Sequence, residues 1–230
     1  MKIHLFKCRR LICGRLFTTL ALLAAAGCSS VQTKSDDPAL LMKEAEQEIS
    51  NDHYLLALDK LREVKNKFPY SKFAVDAQLR LADVYFIQES YPEAAAAYES
   101  FRDLHPKHER VAHAFFRVAK SYFKDAPEEP TRDQSSSERA MSAYSEFLAK
   151  FPADASAAEA RADLGALEAR LGEKEWLIGD FYFKRGHYNA AKKRFERLIA
   201  QFPKTPAAEK ASKAIQKIDS QSATGAGGKP

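Results

Sequence analysis

The sequence predicts an all-α solenoid of stacked helix pairs, about four to five repeats long. Two observations carry that prediction: five positions recur at fixed offsets in four places along the chain, and each recurrence is closed by proline. In the tract from Tyr91, Ala94 lies three residues on, Tyr98 seven and Phe101 ten, and His105-Pro106 ends it. The tract from Tyr54 places Ala57, Leu61, Val64, Phe68 and Pro69 at the same offsets; that from Tyr188 places Ala191, Phe195, Leu198, Phe202 and Pro203. A fourth copy from Ser137 gives Ala140, Tyr144, Phe147, Phe151 and Pro152. Offsets of three, seven, ten and fourteen share one face of an α-helix, and proline cannot continue it.

Each tract therefore reads as the second helix of a pair. The first helix appears nine and six residues upstream as a small and an aromatic residue, Ala82 with Tyr85 and Gly179 with Tyr182; in the first copy Ala45 is present but Glu48 replaces the aromatic. These are the positions of the tetratricopeptide pattern, whose units bury their apolar faces only by stacking into a superhelix with a concave surface. The spacing between prolines locates two irregularities. Pro69 and Pro106 are 37 residues apart, Pro106 and Pro152 are 46, and Pro152 and Pro203 are 51. The nine extra residues of the third unit fall in Lys124 to Ser136, rich in Pro and Ser, and predict an exposed loop. The fourteen extra residues of the fourth unit fall in Ala155 to Gly179 without proline and predict about four added turns on a first helix, with Gly165 and Gly172 as points of interruption. Pro206 to Ile218 supplies a final covering helix.

The ends read differently. Residues 1–27 carry Lys2, Lys7, Arg9, Arg10 and Arg15 before an apolar run from Leu16 to Ala26 that is too short to span a bilayer, and are expected to be a secretory signal peptide. The run ends in Leu22-Leu23-Ala24-Ala25-Ala26-Gly27-Cys28, similar to a bacterial lipobox, in which Cys28 becomes the first mature residue and carries diacylglycerol. Residues 28–37 are then the lipidated cysteine and a polar tether, 38–219 the solenoid, and 220–230, Gly-rich, a disordered tail. Cleavage removes five of the 36 basic residues and leaves 31 against 31 acidic ones, so no overall basic bias favours nucleic acid. Cys8 and Cys13 leave with the leader. No disulfide framework is available, so helix packing must supply stability.

Catalytic chemistry finds little footing. His105, His108 and His113 lack the i,i+4 spacing of a helical metal pair, Glu128 and Glu129 diverge in a loop, and no Gly-rich phosphate loop or nucleophile elbow occurs. No enzyme, cofactor or metal is expected. Trp176 is expected in the core of the lengthened helix.

Taken together, the lipobox, the insertion with Thr131-Arg132-Asp133-Gln134, the segment Glu173-Lys174-Glu175 and the run from Asp180 to Arg194 resemble the BamD family, the tetratricopeptide lipoproteins of the outer-membrane β-barrel assembly machinery. The resemblance spans nearly the whole mature chain and departs at Gly172, where alanine is usual, and in a shorter C-terminus. It implies a scaffold on the periplasmic side of the outer membrane, anchored through acylated Cys28, that binds the periplasmic domains of the barrel-forming BamA subunit and other assembly lipoproteins, and receives C-terminal segments of unfolded outer-membrane proteins. A secretin pilotin is the alternative among tetratricopeptide envelope lipoproteins. By the same resemblance Arg185 and Arg194, separated by the turn at Gly186, are the BamA-binding residues, arginine being suited to bidentate pairing with carboxylates.

The repeat register predicts a second surface. With Leu81, Ala82 and Tyr85 facing their partner helix, Leu79, Asp83, Phe86 and Ile87 are expected on the concave side, joined by Met42 and Ile49 of unit one and by Phe116, Lys120 and Phe123 of unit three. Apolar residues of this size predict a peptide groove, with Lys120 or Arg117 available to a terminal carboxylate; the competing expectation is burial against the next repeat.

Overall fold

The computed structural model describes residues 36–225, and the expected leader, acylated Cys28 and most of the tether lie outside them. Nine helices follow one another among the described residues: α1 (Pro38–Ser50), α2 (Tyr54–Lys67), α3 (Lys72–Ile87), α4 (Tyr91–Leu104), α5 (Val111–Asp125), α6 (Ser135–Lys150), α7 (Ala157–Lys184), α8 (Tyr188–Gln201) and α9 (Pro206–Gly225). They form four antiparallel pairs, and α9 covers both α7 and α8. First helices also meet first helices, α1 against α3 and α5 against α7.

The repeated positions do what their spacing requires. Ala57, Leu61, Val64, Ala94, Tyr98, Phe101, Ala140, Tyr144, Phe147, Ala191, Phe195 and Leu198 are all fully buried. Each large one contributes about 1.5–3 kcal/mol by leaving water. Because every second helix shares its apolar face with the following pair, the cores overlap: Leu79, Tyr98, Phe101, Ala114 and Val118 form one cluster across α3, α4 and α5, and Phe116, Tyr144, Phe147 and Leu167 another across α5, α6 and α7.

Termination is equally local. The residues preceding the four marker prolines, Phe68, His105, Phe151 and Phe202, are the C-caps of α2, α4, α6 and α8, at φ between −122° and −130°, as steric conflict with the proline ring demands. Asp37 caps α1 by accepting from the Ala39 amide at 2.9 Å, and Ser71 caps α3 through the Ala74 amide. The turn within the fourth pair passes through Gly186 at φ +77°, a left-handed conformation that suits glycine.

The insertion forms the connection between α5 and α6, organised by one buried side chain: Gln134 Nε2 donates to the carbonyls of Glu129 at 2.8 Å and Pro127 at 3.4 Å, and its Oε1 accepts from Ser137 Oγ at 2.6 Å. The lengthened helix α7 runs 28 residues without interruption. Gly165 lies in open space, whereas Gly179 lets the helix approach α8 so closely that a Cβ there would sit 2.4 Å from the Phe195 ring. Trp176, half-buried, stacks on that ring at 5.1 Å between centroids. One boundary needs correction. The chain from Ser220 to Gly225, expected as tail, continues α9, which Ile218 in the core and a Lys192–Asp219 pair at 2.6 Å hold against α8; residues 226–230 lie outside the described part.

Candidate functional site

The face shared by α3, α5 and α7 is polar, for a reason visible in the helix register. First helices bury two sides, one against their own partner and one against the preceding pair, and the remaining arc of α5 carries His113, Arg117 and Lys120, continued by its N-cap Arg110, at three- and four-residue spacing. Carboxylates from both neighbours meet this row. At one end Asp83 of α3 accepts from the Tyr98 hydroxyl at 2.6 Å and lies 3.5 Å from His113 Nε2, 3.5 Å from Arg80 and 3.8 Å from Arg110. Burial would raise the Asp83 pKa, but the nearby His113 imidazole, the hydrogen bond from Tyr98 and the charge of Arg110 outweigh it and hold it below the ordinary carboxylate value. At the other end Lys120 Nζ donates to Asp163 of α7 at 2.6 Å and lies 2.8 Å from Glu159, while Tyr144 also donates to Asp163 at 2.6 Å. Burial would lower the Lys120 pKa; these two carboxylates raise it instead.

This arrangement revises the expected groove. Leu79, at 1% exposure, and Phe116, at 7%, belong to the cores and line no surface, because the apolar arc of a first helix faces two neighbours rather than one. Lys120 is committed to Asp163 and Glu159 and so is not available to a carboxylate from outside. Met42, Ile49 and Phe123 are partly buried against the neighbouring cores. Phe86 and Ile87 remain on the surface, Ile87 exposed and Phe86 half-buried, its ring edge-on to Tyr91 at 5.4 Å. Arg117 lies 4.2 Å above the Phe86 ring.

The expected C-terminal pair occupies two settings. Exposed Arg185, the C-cap of α7, lies over the ring of Phe181 at 4.4 Å. Arg194 of α8 pairs with Glu175 of α7 at 3.3 Å and borders a cavity of about 400 Å³ lined also by Tyr182, Ala190, Lys193 and Arg197. A second cavity of about 310 Å³, which sequence reading missed, lies between the insertion and α7, lined by Pro130, Thr131, Lys174, Leu177, Ile178, Phe181 and Tyr182. Its signal was present in Leu177 and Phe181, apolar residues four apart on the outward face of α7.

The three histidines separate: His105 and His108 pack on the Phe101 ring at 5.1 and 5.2 Å, while His113 faces Asp83. Among the described residues no group of three His, Cys, Asp or Glu side chains is placed to hold a metal ion, and no helix is long and apolar enough to cross a membrane.

The sequence aligns with named proteins over most of its length. A protein of Neisseria gonorrhoeae named outer membrane protein assembly factor BamD is 28% identical over 209 residues, covering 83% of this chain and 78% of that one. Proteins of the same name from Caulobacter vibrioides (28% over 206 residues, 85% and 67% covered) and Vibrio cholerae serotype O1 (26% over 202 residues, 83% and 84%) align comparably. A solved structure of kinesin light chain tetratricopeptide-like repeats from Podosopora anserina overlays at a TM-score of 0.45 with 13% identity, covering 82% of this chain and 99% of that one. The family described as YfiO, outer membrane lipoprotein, matches residues 34–225, the stretch that holds all nine helices, and the chain belongs to that family.

Proposed function

We propose that this chain is a non-catalytic scaffold in the assembly of β-barrel proteins into the outer membrane, held on its periplasmic side by a lipid on Cys28. The observation that carries the reading is the family match across every described helix, with relatives named for outer membrane protein assembly. The C-terminal pair α7–α8 is the binding surface for the periplasmic domains of a BamA-type barrel protein, and the adjoining helices for other assembly lipoproteins. Three basic side chains of α8, Lys193, Arg194 and Arg197, converge on one open cavity beside an aromatic ring, a composition that attracts acidic partner loops and fixes carboxylates through guanidinium forks. The N-terminal pairs receive extended segments of unfolded outer-membrane proteins, with exposed Ile87 and half-buried Phe86 as apolar contacts.

Affinity purification of the detergent-extracted protein tests this. Arg194→Glu alone would place two carboxylates side by side, so Glu175→Arg is added to keep the internal pair while reversing the sign presented at the cavity. The swapped protein should keep its helical circular dichroism and lose its barrel-forming partner. Wild-type recovery of that partner at moderate salt refutes the assignment of the surface, and recovery of a secretin instead of a barrel-assembly protein refutes the assembly role.

A further inference from the structure

Over the N-terminal pairs the two edges of the helix stack carry opposite charge. Because each pair is antiparallel, the start of α1 shares one edge with the end of α2, the turn into α3 and the turn from α4 to α5. On this edge the segment from Val64 to Val75 holds Lys65, Lys67 and Lys72 and no acid, and the next turn, Arg102 to Arg110, sets Arg102, Lys107 and Arg110 against Asp103 and Glu109. Lys67 pairs with Glu63 at 2.6 Å. Lys65 and Lys107 meet no carboxylate among the described residues, and Lys72 lies 5.2 Å from the ring of its neighbour Phe73. The opposite edge is acidic over the first three pairs: Asp52 stands between α1 and α2, Glu89 between α3 and α4, and Asp125, Glu128, Glu129 and Asp133 outnumber Lys124 and Arg132 at the insertion. Large apolar side chains also project from the basic edge. Tyr70, in the turn after Pro69, is 102% exposed, more than any other large apolar side chain among the described residues, and Leu104 and Leu40 are exposed with it.

This is also the edge at which the chain enters the fold. Nine residues of chain lead from Cys28 to Asp37, the N-cap of α1, a reach of at most about 30 Å and about 15–18 Å for a flexible chain. A lipid on Cys28 thus keeps the basic edge within about one helix length of the bilayer, α1 and α2 each being about 20 Å long. We propose that this edge, centred on the turn from Phe68 to Lys72, docks on the anionic phospholipid surface in which the lipid is inserted, with Tyr70 entering the headgroup layer and Lys65, Lys72 and Lys107 facing its phosphates. The proposal rests on the reading that Cys28 is acylated and adds a second membrane contact, made by the folded part. Tyrosine suits the interface, having an apolar body and a polar tip, and lysines near an anionic leaflet are attracted without needing a fitted pocket. A plane of headgroups asks for projecting side chains, which this edge has, whereas the cavities of about 310 and 400 Å³ lie by α7 and α8. The lipid supplies the affinity. The short tether makes a weak second contact effective by holding it close to its target, and the acidic edge, repelled by the same surface, is turned toward the aqueous side.

The acylated mature protein is reconstituted in vesicles of phosphatidylcholine with phosphatidylglycerol and, in parallel, of phosphatidylcholine alone, both carrying a headgroup spin label. Acylation of Cys28 leaves the mature chain no other thiol, so Asn66→Cys on the basic edge and Asn51→Cys on the acidic edge, both exposed positions, each take a fluorophore at one place. The fluorophore at 66 should be quenched on the anionic vesicles and released at high salt, and that at 51 should stay bright. Each lysine near an anionic surface contributes about five-fold to the ratio of docked to free protein, so Lys65→Ala with Lys72→Ala should lower that ratio about 25-fold. Tyr70→Ser should lower it further. All variants should still float with the vesicles and keep their helical circular dichroism, as exposed substitutions leave the fold little changed. Flotation without quenching at 66, equal quenching at 66 and 51, or quenching undiminished on phosphatidylcholine alone or in the double-alanine protein overturns the docking edge and leaves the anchor standing. Failure of the wild type to float overturns the anchor and the proposal together. Absence of quenching in purified lipid, with position 66 crosslinking to a protein in native envelopes, assigns the edge to a protein partner and overturns the proposal.

Discussion

Gly179 offers a test of the packing in which a chemically identical change has opposite signs at two places on one helix. Alanine in a helix interior is favoured over glycine by about 0.8–1.0 kcal/mol, so Gly165→Ala, which meets nothing within 4 Å, should stabilise by about that amount. At Gly179 the new Cβ would stand 2.4 Å from Phe195 Cε1 and 2.7 Å from Cδ1. The ring cannot step aside: it is fully buried and stacked on Trp176 at an interplanar angle of 24°. Relief requires α7 and α8 to separate, and overpacking of this kind costs about 1–3 kcal/mol. Taking the upper end and subtracting the propensity gain leaves a loss of about 2 kcal/mol. At about 2–4 °C per kcal/mol for a domain of this size, Tm should fall by about 4–8 °C for Gly179→Ala and rise by about 2–4 °C for Gly165→Ala. Gly172→Ala, where the nearest atom is Thr205 Oγ1 at 3.1 Å, should lie between them. Urea and thermal unfolding followed by circular dichroism give the three values, and Trp176 fluorescence reports the ring displacement directly. A double mutant, Gly179→Ala with Phe195→Leu, should cost less than the two single changes together, because the smaller side chain admits the methyl group. If Gly179→Ala stabilises the fold as Gly165→Ala does, the close approach of α7 and α8 is wrong.

Two further outcomes follow from buried polar groups. Asp83→Asn removes the charge that Arg80, Arg110 and His113 face while keeping an acceptor for Tyr98, and should cost about 1–3 kcal/mol at neutral pH. Since the folded state holds the Asp83 pKa below that of an unfolded aspartate, its contribution is fully present above the unfolded value and is lost as pH falls through the lower folded one; denaturant titrations from neutral into strongly acidic pH should therefore show wild type and Asp83→Asn converging in acid, and a constant gap between them contradicts the linkage. Gln134→Leu keeps the volume but orphans the Glu129 and Pro127 carbonyls and the Ser137 hydroxyl; limited proteolysis should then cut within 126–134 several-fold faster, whereas an unchanged rate places the ordering of the loop elsewhere.

Second helices were legible in the sequence because their physics is local. Ala94, Tyr98 and Phe101 recur with a period set by the α-helix itself, and the proline that follows acts on the residue beside it. First helices were only half legible. Leu81 and Ala82 announced one buried side, but Leu79 shares a core with α4 and α5, and Phe116 one with α6 and α7, so each is covered by its own partner helix together with the first helix of the next pair, a contact the repeat signature does not record. Reading Leu79 and Phe116 as groove lining therefore placed core residues on a surface, and for these two the competing expectation of burial holds. The charged row from Arg110 to Lys120 was visible as composition, yet which of its members is left without a partner depends on Asp83, 27 residues before Arg110, and on Asp163, 43 residues after Lys120. The helical continuation past Ser220 escaped notice because glycine and serine there outweigh helix propensity locally, while Ile218 and Asp219 hold the start of the segment from α8.

The uninterrupted length of α7 has a mechanical meaning. Solenoids flex where one unit hands over to the next through a turn, but α7 spans about 42 Å and belongs to two units' cores at once, through Leu167 in one and Leu171 in the other. Bending between those cores would require breaking main-chain hydrogen bonds in the middle of a helix. The rod thus behaves as a lever arm: its C-terminal half carries Glu175 against Arg194, and its N-terminal half carries Asp163 against Lys120. A load applied by a partner at α8 is delivered to the inner face of α5 without being absorbed in a hinge, so the two surfaces move as the ends of one beam.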